Sequence, residues 1–444
     1  MSAAAAGRYL VRPTRSVRGE LIVPGDKSIS HRALMLGGIA EGRSDIDGFL
    51  ASEDCLATLA ALRALGVRIE RPNESRVHVY GAGRAGLRAA SGSLDMGNAG
   101  TAMRLFMGLL AGQPFDSTLV GDASLMRRPM ERVAQPLRAM GAQIQTQQDR
   151  PPVQIGGGRA LHAIDYTMPM ASAQVKSALL LAALFAHGRS SVTEPAPTRD
   201  HTERMLRSFG VSVRRDGARV SVTGAARLQG CQIEVPGDFS SAAFFIVAGC
   251  LAATDGLTLR GVGVNPTRTG LLEMLRLMGA DIRVELRAAP DSGRGDEAEP
   301  IADIHVRASA LQGIRVPERL VPLAIDEFPV FFIAAAAARG ETVVTGAAEL
   351  RVKESDRLAV MAQGLKAVGI DCELLADGLR IQGGTVRGGR IDSHGDHRIA
   401  MAFAIASLGA SQSIEIQDVA NVATSFPGFP ALARSAGLAL EELA

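Results

Sequence analysis

Val23-Pro24-Gly25-Asp26-Lys27-Ser28-Ile29-Ser30-His31-Arg32 is the stretch from which the rest of the chain can be read. Leu21 to Val23 predict a short apolar strand that stops at Pro24-Gly25, and an apolar helix follows over Ala33–Ile39. The polar loop between them carries one Lys, two Ser and one Arg beside a helix N-terminus. Free backbone N–H groups there attract anions, and Lys and Arg add full charge. Taken alone, such a loop is a capped turn with solvated charges. Composition argues for more. Only Lys27, Lys176, Lys353 and Lys366 are lysines among 48 basic residues, so Lys27 reads as a selected compact ammonium in a chain whose usual cation is Arg.

The same order recurs six times: polar loop, apolar helix, Gly-containing turn and strand, second helix, then Gly-Ala or Gly-Val and a strand. The other loops are Gly97-Asn98-Ala99-Gly100-Thr101, Met170-Ala-Ser172-Ala-Gln174, Val235-Pro-Gly-Asp238-Phe-Ser-Ser241, Ile325-Asp326-Glu327 and Gly395-Asp396-His397-Arg398. The apolar helices that follow are predicted over Arg104–Ala111, Val175–Ala186, Phe244–Ala252, Val330–Ala338 and Ile399–Ser407. Four consecutive copies end in Leu-x-x-x-Gly followed by Val or Ala, as at Leu137–Gly141 and Leu275–Gly279. Ala178-Leu-Leu-Leu-Ala-Ala-Leu-Phe185 has no polar face, so each first helix should be buried all round and each second helix should face solvent. Six such units exceed one core and predict two halves of three, with the loops at equivalent ends lining one cleft.

Hydrophobic residues make up 47% and charged residues 21% of the 444, the balance of an ordinary globular protein. A net charge of +2 and 4% aromatics without Trp exclude a general nucleic-acid surface. Cys55, Cys231, Cys250 and Cys372 are scattered, with neither disulfide nor zinc spacing, and fit reduced thiols in a cytoplasmic protein. The longest apolar runs, Ala242–Ala253 and Phe328–Ala338, are too short to span a bilayer. Ala288–Pro300, rich in Pro, Gly and acids, reads as a disordered or surface loop.

Three motifs mislead. Gly81-Ala-Gly83-Arg-Ala-Gly86 matches a dinucleotide fingerprint, but no helix or spaced acid follows, so a turn between strands is predicted. Gly25-Asp-Lys27-Ser28 lacks the first glycine of a phosphate-binding P-loop. His394-x-x-His397 has no third metal ligand at suitable spacing, which favours capping or anion contact.

Besides Lys27 and Arg32, the loops supply Asn98, Arg128, Ser172, Gln174, Arg199, Lys353, Arg357 and Arg398 as donors, with Asp326 and Glu354 as acids. Fixed cations around one or two carboxylates suit two anionic small molecules and a proton transfer between them. Arg32, Arg104 and Arg199, taken singly, read equally well as solvated surface charges.

The motifs Pro24–Arg32, Gly97–Thr101, Arg128-Pro-Met130, Pro169–Gln174, Arg351–Arg357 and Gly395–Arg398 together resemble the 5-enolpyruvylshikimate-3-phosphate (EPSP) synthase family, in its Ser-Ala-Gln branch. The likeness runs in order from about Ser16 to Gly437. It implies an α/β (α+β) protein with the two-domain enolpyruvyl transferase fold, an inside-out α/β barrel or prism of six βαβαββ repeats. The first domain would be discontinuous, 1–22 plus 237–444, and 23–236 would be inserted, the two closing on the substrates. The implied reaction moves the enolpyruvyl group of phosphoenolpyruvate to the 5-hydroxyl of shikimate 3-phosphate and releases phosphate, without metal or organic cofactor.

By that resemblance Lys27, Ser28, Arg32, Ser172, Ala173, Gln174, Arg199, Asp326 and Lys353 hold shikimate 3-phosphate. Lys27, Gly100, Arg128, Gln174, Arg357 and Arg398 surround phosphoenolpyruvate. Asp326, Glu354 and Lys27 carry the catalytic work: Asp326 accepts the 5-hydroxyl proton and Glu354 serves the methylene carbon. Thr424 stands before Ser425-Phe-Pro427 where some members have Lys, so no contact is assigned there. Gly100, which is Ala in some glyphosate-insensitive members, implies sensitivity to that inhibitor. The implied state is a cytoplasmic monomer without nucleic-acid or membrane partners. The rivals are the transferase that acts on UDP-N-acetylglucosamine, whose usual loop cysteine is missing from Gly121–Arg128, and a non-catalytic anion-binding protein on the same scaffold.

Overall fold

A computed structural model describes residues 7–287 and 298–443, so most of the loop expected over Ala288–Pro300 lies outside the described residues. Two compact units emerge. One contains residues up to Pro24, Pro236 to Arg287 and Pro300 onwards; the other contains Gly25–Val235, with Ala298 and Glu299 grouping beside it. Each has its own hydrophobic core.

Six helices are buried on nearly all sides: α1 (Lys27–Ile39), α3 (Gly100–Leu110), α5 (Ala173–Ala183), α7 (Phe239–Ala252), α9 (Phe328–Ala337) and α11 (His397–Ala406). Six alternate with them and keep a polar face: α2 (Glu53–Ala64), α4 (Glu131–Ala139), α6 (His201–Ser208), α8 (Gly270–Leu277), α10 (Arg357–Ala367) and α13 (Phe429–Ala436). A single turn, α12 (Val422–Ser425), precedes the last. All-apolar helices require burial on every side, which sets the inner and outer layers of each unit.

The described strands form six sheets, three in each unit. Five have one plan: an edge strand runs parallel to its neighbour, and two antiparallel strands complete the four. The sixth, of Glu341–Val344, Leu379–Gln382 and Cys372–Leu374, has three strands, with an isolated Arg315–Val343 bridge in the place of the fourth. Three sheets borrow a strand from far along the chain. Gly19–Leu21 pairs in parallel with Leu257–Leu259. Gln232–Glu234 pairs in parallel with Asp45–Asp47, and Arg8–Arg12 lies between Ile414–Gln417 and Ala439–Leu443.

The inner helices begin earlier than the apolar pattern predicts, at Lys27, Gly100, Ala173, Phe239, Phe328 and His397. Asp26, Ser172, Asp238 and Asp396 accept from the next backbone N–H groups and nucleate the first turn while its residues are still polar. The strand predicted over Leu21–Val23 is Gly19–Leu21 instead. Pro24 has no N–H to extend the ladder, and Ile22 turns outward, 75% exposed. Gly81 lies at the end of the strand Arg76–Ala82 and Gly83–Gly86 turns after it, as expected for the false fingerprint.

Candidate functional site

In the unit of Gly25–Val235, Lys27 and Gln174 stand in the first turns of α1 and α5 and Ser172 at the α5 N-cap, while Asn98, Arg128 and Arg199 lie in the connecting loops. Lys27 opens α1, and its Nζ lies 2.9 Å from Asp54 Oδ2 on α2, a carboxylate only 6% exposed. Arg32, one turn on and buried, donates to Ser28 O at 2.9 Å, Thr202 Oγ1 at 2.7 Å and Ser177 Oγ at 2.9 Å, tying α1 to α5 and α6. Burial pulls its pKa down to about 10 against the pull of Glu203 and Asp26, so it stays cationic near neutrality. Ser172 caps α5 by accepting from Val175 N, with Ala173 and Gln174 in the turn beyond it. Arg199 is half-buried and close enough to Arg32 to act on it electrostatically.

Gly100 opens α3. A Cβ there would lie 2.9 Å from Arg128 Nη1 and 3.2 Å from Arg104 Nη1, so only glycine leaves both guanidinium groups where they are. Arg128 is buried and donates to Asn98 Oδ1 at 2.5 Å and Ser124 Oγ at 3.3 Å. Arg104, also buried, donates to Gln174 Oε1 at 2.7 Å, while Gln174 Nε2 donates to Thr101 Oγ1 at 3.0 Å. The second and third loops are thus joined through Gln174. Their approach depends on Gly108, where a Cβ would meet Ala178 O of α5 at 2.1 Å. Among the inner-helix starts here, α3 has no side-chain cap bond, and a helix N-terminus beside two arginines is an environment that suits an anion.

The unit containing Asp326 brings its five predicted residues into one ion-pair web. Asp326 Oδ1 lies 3.4 Å from Lys353 Nζ and 3.4 Å from Arg357 Nη1. Lys353 also reaches Glu349 Oε1 at 2.9 Å, and Arg357 Nη2 donates to Glu354 Oε2 at 2.6 Å. Arg398 Nη1 donates to the Asp326 carbonyl at 2.9 Å. Arg357 is buried at the centre. Burial alone would lower its pKa, but Asp396, Glu354 and Asp326 outweigh this and hold the guanidinium above its ordinary range. Asp396 is 0% exposed. It accepts from Arg357 Nε at 2.8 Å, Arg357 Nη2 at 3.3 Å, Ser355 Oγ at 3.1 Å and the Arg398 backbone N–H at 3.0 Å. It lies between exposed His394 and buried His397, so capping falls to the aspartate rather than to either histidine.

Several partners have no local signal in the sequence. Asp54 sits in the first turn of α2, an ordinary place for an acid. Arg104 reads as a surface charge yet is buried against Gln174. Lys176 is fully buried between Glu194 at 2.9 Å and Glu203 at 2.7 Å, with Thr198 accepting at 3.4 Å, which anchors the segment carrying Arg199. Thr424 is buried and donates to Asn421 O at 2.7 Å. Cys55, Cys250 and Cys372 are buried; burial, with Asp54 adding to it at Cys55, pushes the Cys55 and Cys250 thiols up and out of the reactive range. No described helix is long and apolar enough to cross a membrane.

The geometry can be set beside known proteins. A family model described as EPSP synthase (3-phosphoshikimate 1-carboxyvinyltransferase) matches residues 11–432. A 3-phosphoshikimate 1-carboxyvinyltransferase of Acidithiobacillus ferrooxidans is 60% identical over 434 residues, covering 98% of this chain and 99% of the relative. That of Methylococcus capsulatus is 58% identical, covering 98% of each. The solved EPSP synthase of Acinetobacter baumannii superposes with a TM-score of 0.87 at 54% identity, covering 99% of this chain and 100% of that one.

Proposed function

The chain belongs to the EPSP synthase family, and we propose that the two sets of residues above divide the work of its reaction, transfer of the enolpyruvyl group of phosphoenolpyruvate to the 5-hydroxyl of shikimate 3-phosphate with release of phosphate. Lys27, Ser28, Arg32, Ser172, Ala173, Gln174 and Arg199 receive shikimate 3-phosphate. Arg32 and Ser172 have a second task, since each also braces its own helix. Lys27, Gly100, Arg128, Gln174, Arg357 and Arg398 receive phosphoenolpyruvate, whose carboxylate and phosphate match planar arginine forks.

Asp326 takes the 5-hydroxyl proton as the oxygen attacks the enol carbon bearing the phosphate. Glu354 supplies a proton to the methylene carbon, giving a tetrahedral adduct. It then removes a proton from the resulting methyl group as the C–O bond to phosphate breaks, which restores the vinyl group and expels phosphate, the proton held by Asp326 leaving with it. Lys27 and Lys353 offset the charge that develops. The observation that carries this assignment is the web in which Lys353 and Arg357 hold the Asp326 carboxylate while Arg357 holds Glu354. One acid and one base are thereby fixed on a common guanidinium.

Glyphosate, a small zwitterion with carboxylate and phosphonate, should compete with phosphoenolpyruvate, because Gly100 leaves the Arg128 side of the site open. The reading extends to a cytoplasmic monomer. Phosphate release is the test. Phosphoenolpyruvate with shikimate 3-phosphate should give turnover, and phosphoenolpyruvate with UDP-N-acetylglucosamine should give none. The reverse would install the rival transferase, and silence with both acceptors would favour a binding protein.

A further inference from the structure

One buried polar cluster next to Arg398 has no part in the chemistry above. Glu327 follows Asp326 and is 1% exposed. Ser240 of α7 donates its hydroxyl to the Glu327 carboxylate. Arg268 Nη2 donates to Ser240 Oγ at 2.6 Å and to Asp238 Oδ1 at 3.3 Å, and lies 3.7 Å from Glu327 Oε1. That same Oε1 lies 3.8 Å from Arg398 Nη1.

The origin of the cluster is visible in the repeat. Val235-Pro236-Gly237-Asp238-Phe239-Ser240 copies Val23-Pro24-Gly25-Asp26-Lys27-Ser28, with Phe239 for Lys27. Phe239 is buried, so this copy of the loop presents no ammonium outward. Its serine instead faces inward and donates to a carboxylate, while Asp238 caps α7 as Asp26 caps α1. A buried carboxylate is costly unless held by donors, and this one is held by a hydroxyl and two guanidinium groups.

We propose that Glu327 is a positioning residue for phosphoenolpyruvate binding: with the Asp326 carbonyl it fixes the orientation of the Arg398 fork. Consecutive residues face one nitrogen: the Asp326 carbonyl accepts from Arg398 Nη1 at 2.9 Å, and the Glu327 carboxylate forms an ion pair with it at 3.8 Å. The inference rests on Arg398 contacting phosphoenolpyruvate, as proposed above.

The test is a double-mutant cycle of Glu327→Gln and Arg398→Lys in the full chain, with KM measured for each substrate and melting measured for each variant. The amide introduced by Glu327→Gln still accepts from Ser240 but carries no charge. The change removes the charge that faces Arg398 Nη1, so KM for phosphoenolpyruvate should rise by up to roughly tenfold while KM for shikimate 3-phosphate stays within about twofold. In the Arg398→Lys background the same change should add less than about twofold, because its target is already altered. Equal rises in both KM values, or full additivity, would overturn the proposal and leave Glu327 a purely structural residue. Should Glu327→Gln melt early, Ser240→Ala decides. A folded Ser240→Ala enzyme with an unaltered KM for phosphoenolpyruvate would equally overturn it. Failure of the parent reading looks different, since the unmutated chain would then release no phosphate from the two substrates.

Discussion

Asp396→Asn probes the densest knot in the molecule. Four donors converge on the Asp396 carboxylate: two from Arg357, one from Ser355 and the backbone N–H of Arg398. An amide has one acceptor oxygen. However it is turned, two of the four donors meet an N–H instead, either Arg357 Nε with the Ser355 hydroxyl or Arg357 Nη2 with the Arg398 N–H. Breaking a buried ion pair costs about 3–5 kcal/mol. Arg357 keeps Glu354 at 2.6 Å and Asp326 at 3.4 Å, so the lower figure applies. At roughly 2–4 °C per kcal/mol for a unit of this size, about 3 kcal/mol lowers the melting temperature by about 6–12 °C. Because Arg357 and Arg398 both lose a support, KM for phosphoenolpyruvate should rise on the order of tenfold or more, a single lost charge-assisted bond accounting for about that much. Scanning calorimetry and substrate titration read the two effects. An enzyme that melts within about 2 °C of the parent, with its KM unmoved, would refute the view that Asp396 organises these arginines.

Three further outcomes are expected. His31 donates to or accepts from Thr58 Oγ1 at 2.7 Å, and burial, with help from Lys27 and Arg32, lowers its pKa to about 3. The unfolded chain therefore takes a proton first as pH falls below the ordinary histidine value, and stability drops between that value and about 3. Relative to His31→Gln, the parent should lose roughly 2 kcal/mol on going from about pH 7.5 to about pH 5, and parallel stability curves would count against this. Gly100→Ala should push Arg128 aside, raise KM for phosphoenolpyruvate by roughly 5–30-fold, and weaken glyphosate inhibition at least as much; unchanged constants would show that the guanidinium yields freely. Asp326→Ala should cut kcat by about 10²–10⁴ with melting little changed, since Lys353 and Arg357 retain Glu349, Glu354 and Asp396, and normal turnover would remove the base assignment.

The sixfold plan could be read from the sequence because each unit repeats an all-apolar helix, a polar helix and a Gly-marked turn, and these periodicities are local. The starts of the inner helices could not. Apolar pattern marks the buried face, whereas Lys27, Gln174, Ser240 and Arg398 occupy polar first turns held by caps. This shifts the reading of the site, which stands on helix ends more than on loops. The partners that tune it were beyond reach for a different reason. Arg104 meets Gln174 across 70 positions and Arg357 meets Asp396 across 39, distances over which neighbouring residues carry no signal. Lys176 stood out only by rarity, and its carboxylate cage becomes visible only once α5 and α6 are packed.

The placement of Arg8–Arg12 bears on how the chain is made. Every strand of the Gly25–Val235 unit lies between positions 41 and 234, so its sheets can zip up while the ribosome is still translating the second half of the chain. Arg8–Arg12, by contrast, is synthesised long before its partners and must wait for Ile414–Gln417 and Ala439–Leu443. Until they arrive it is a bare segment with both edges unsatisfied, a template for mispairing. Nascent-chain aggregation should therefore concentrate at this segment, which marks it as the place where a chaperone has most to protect.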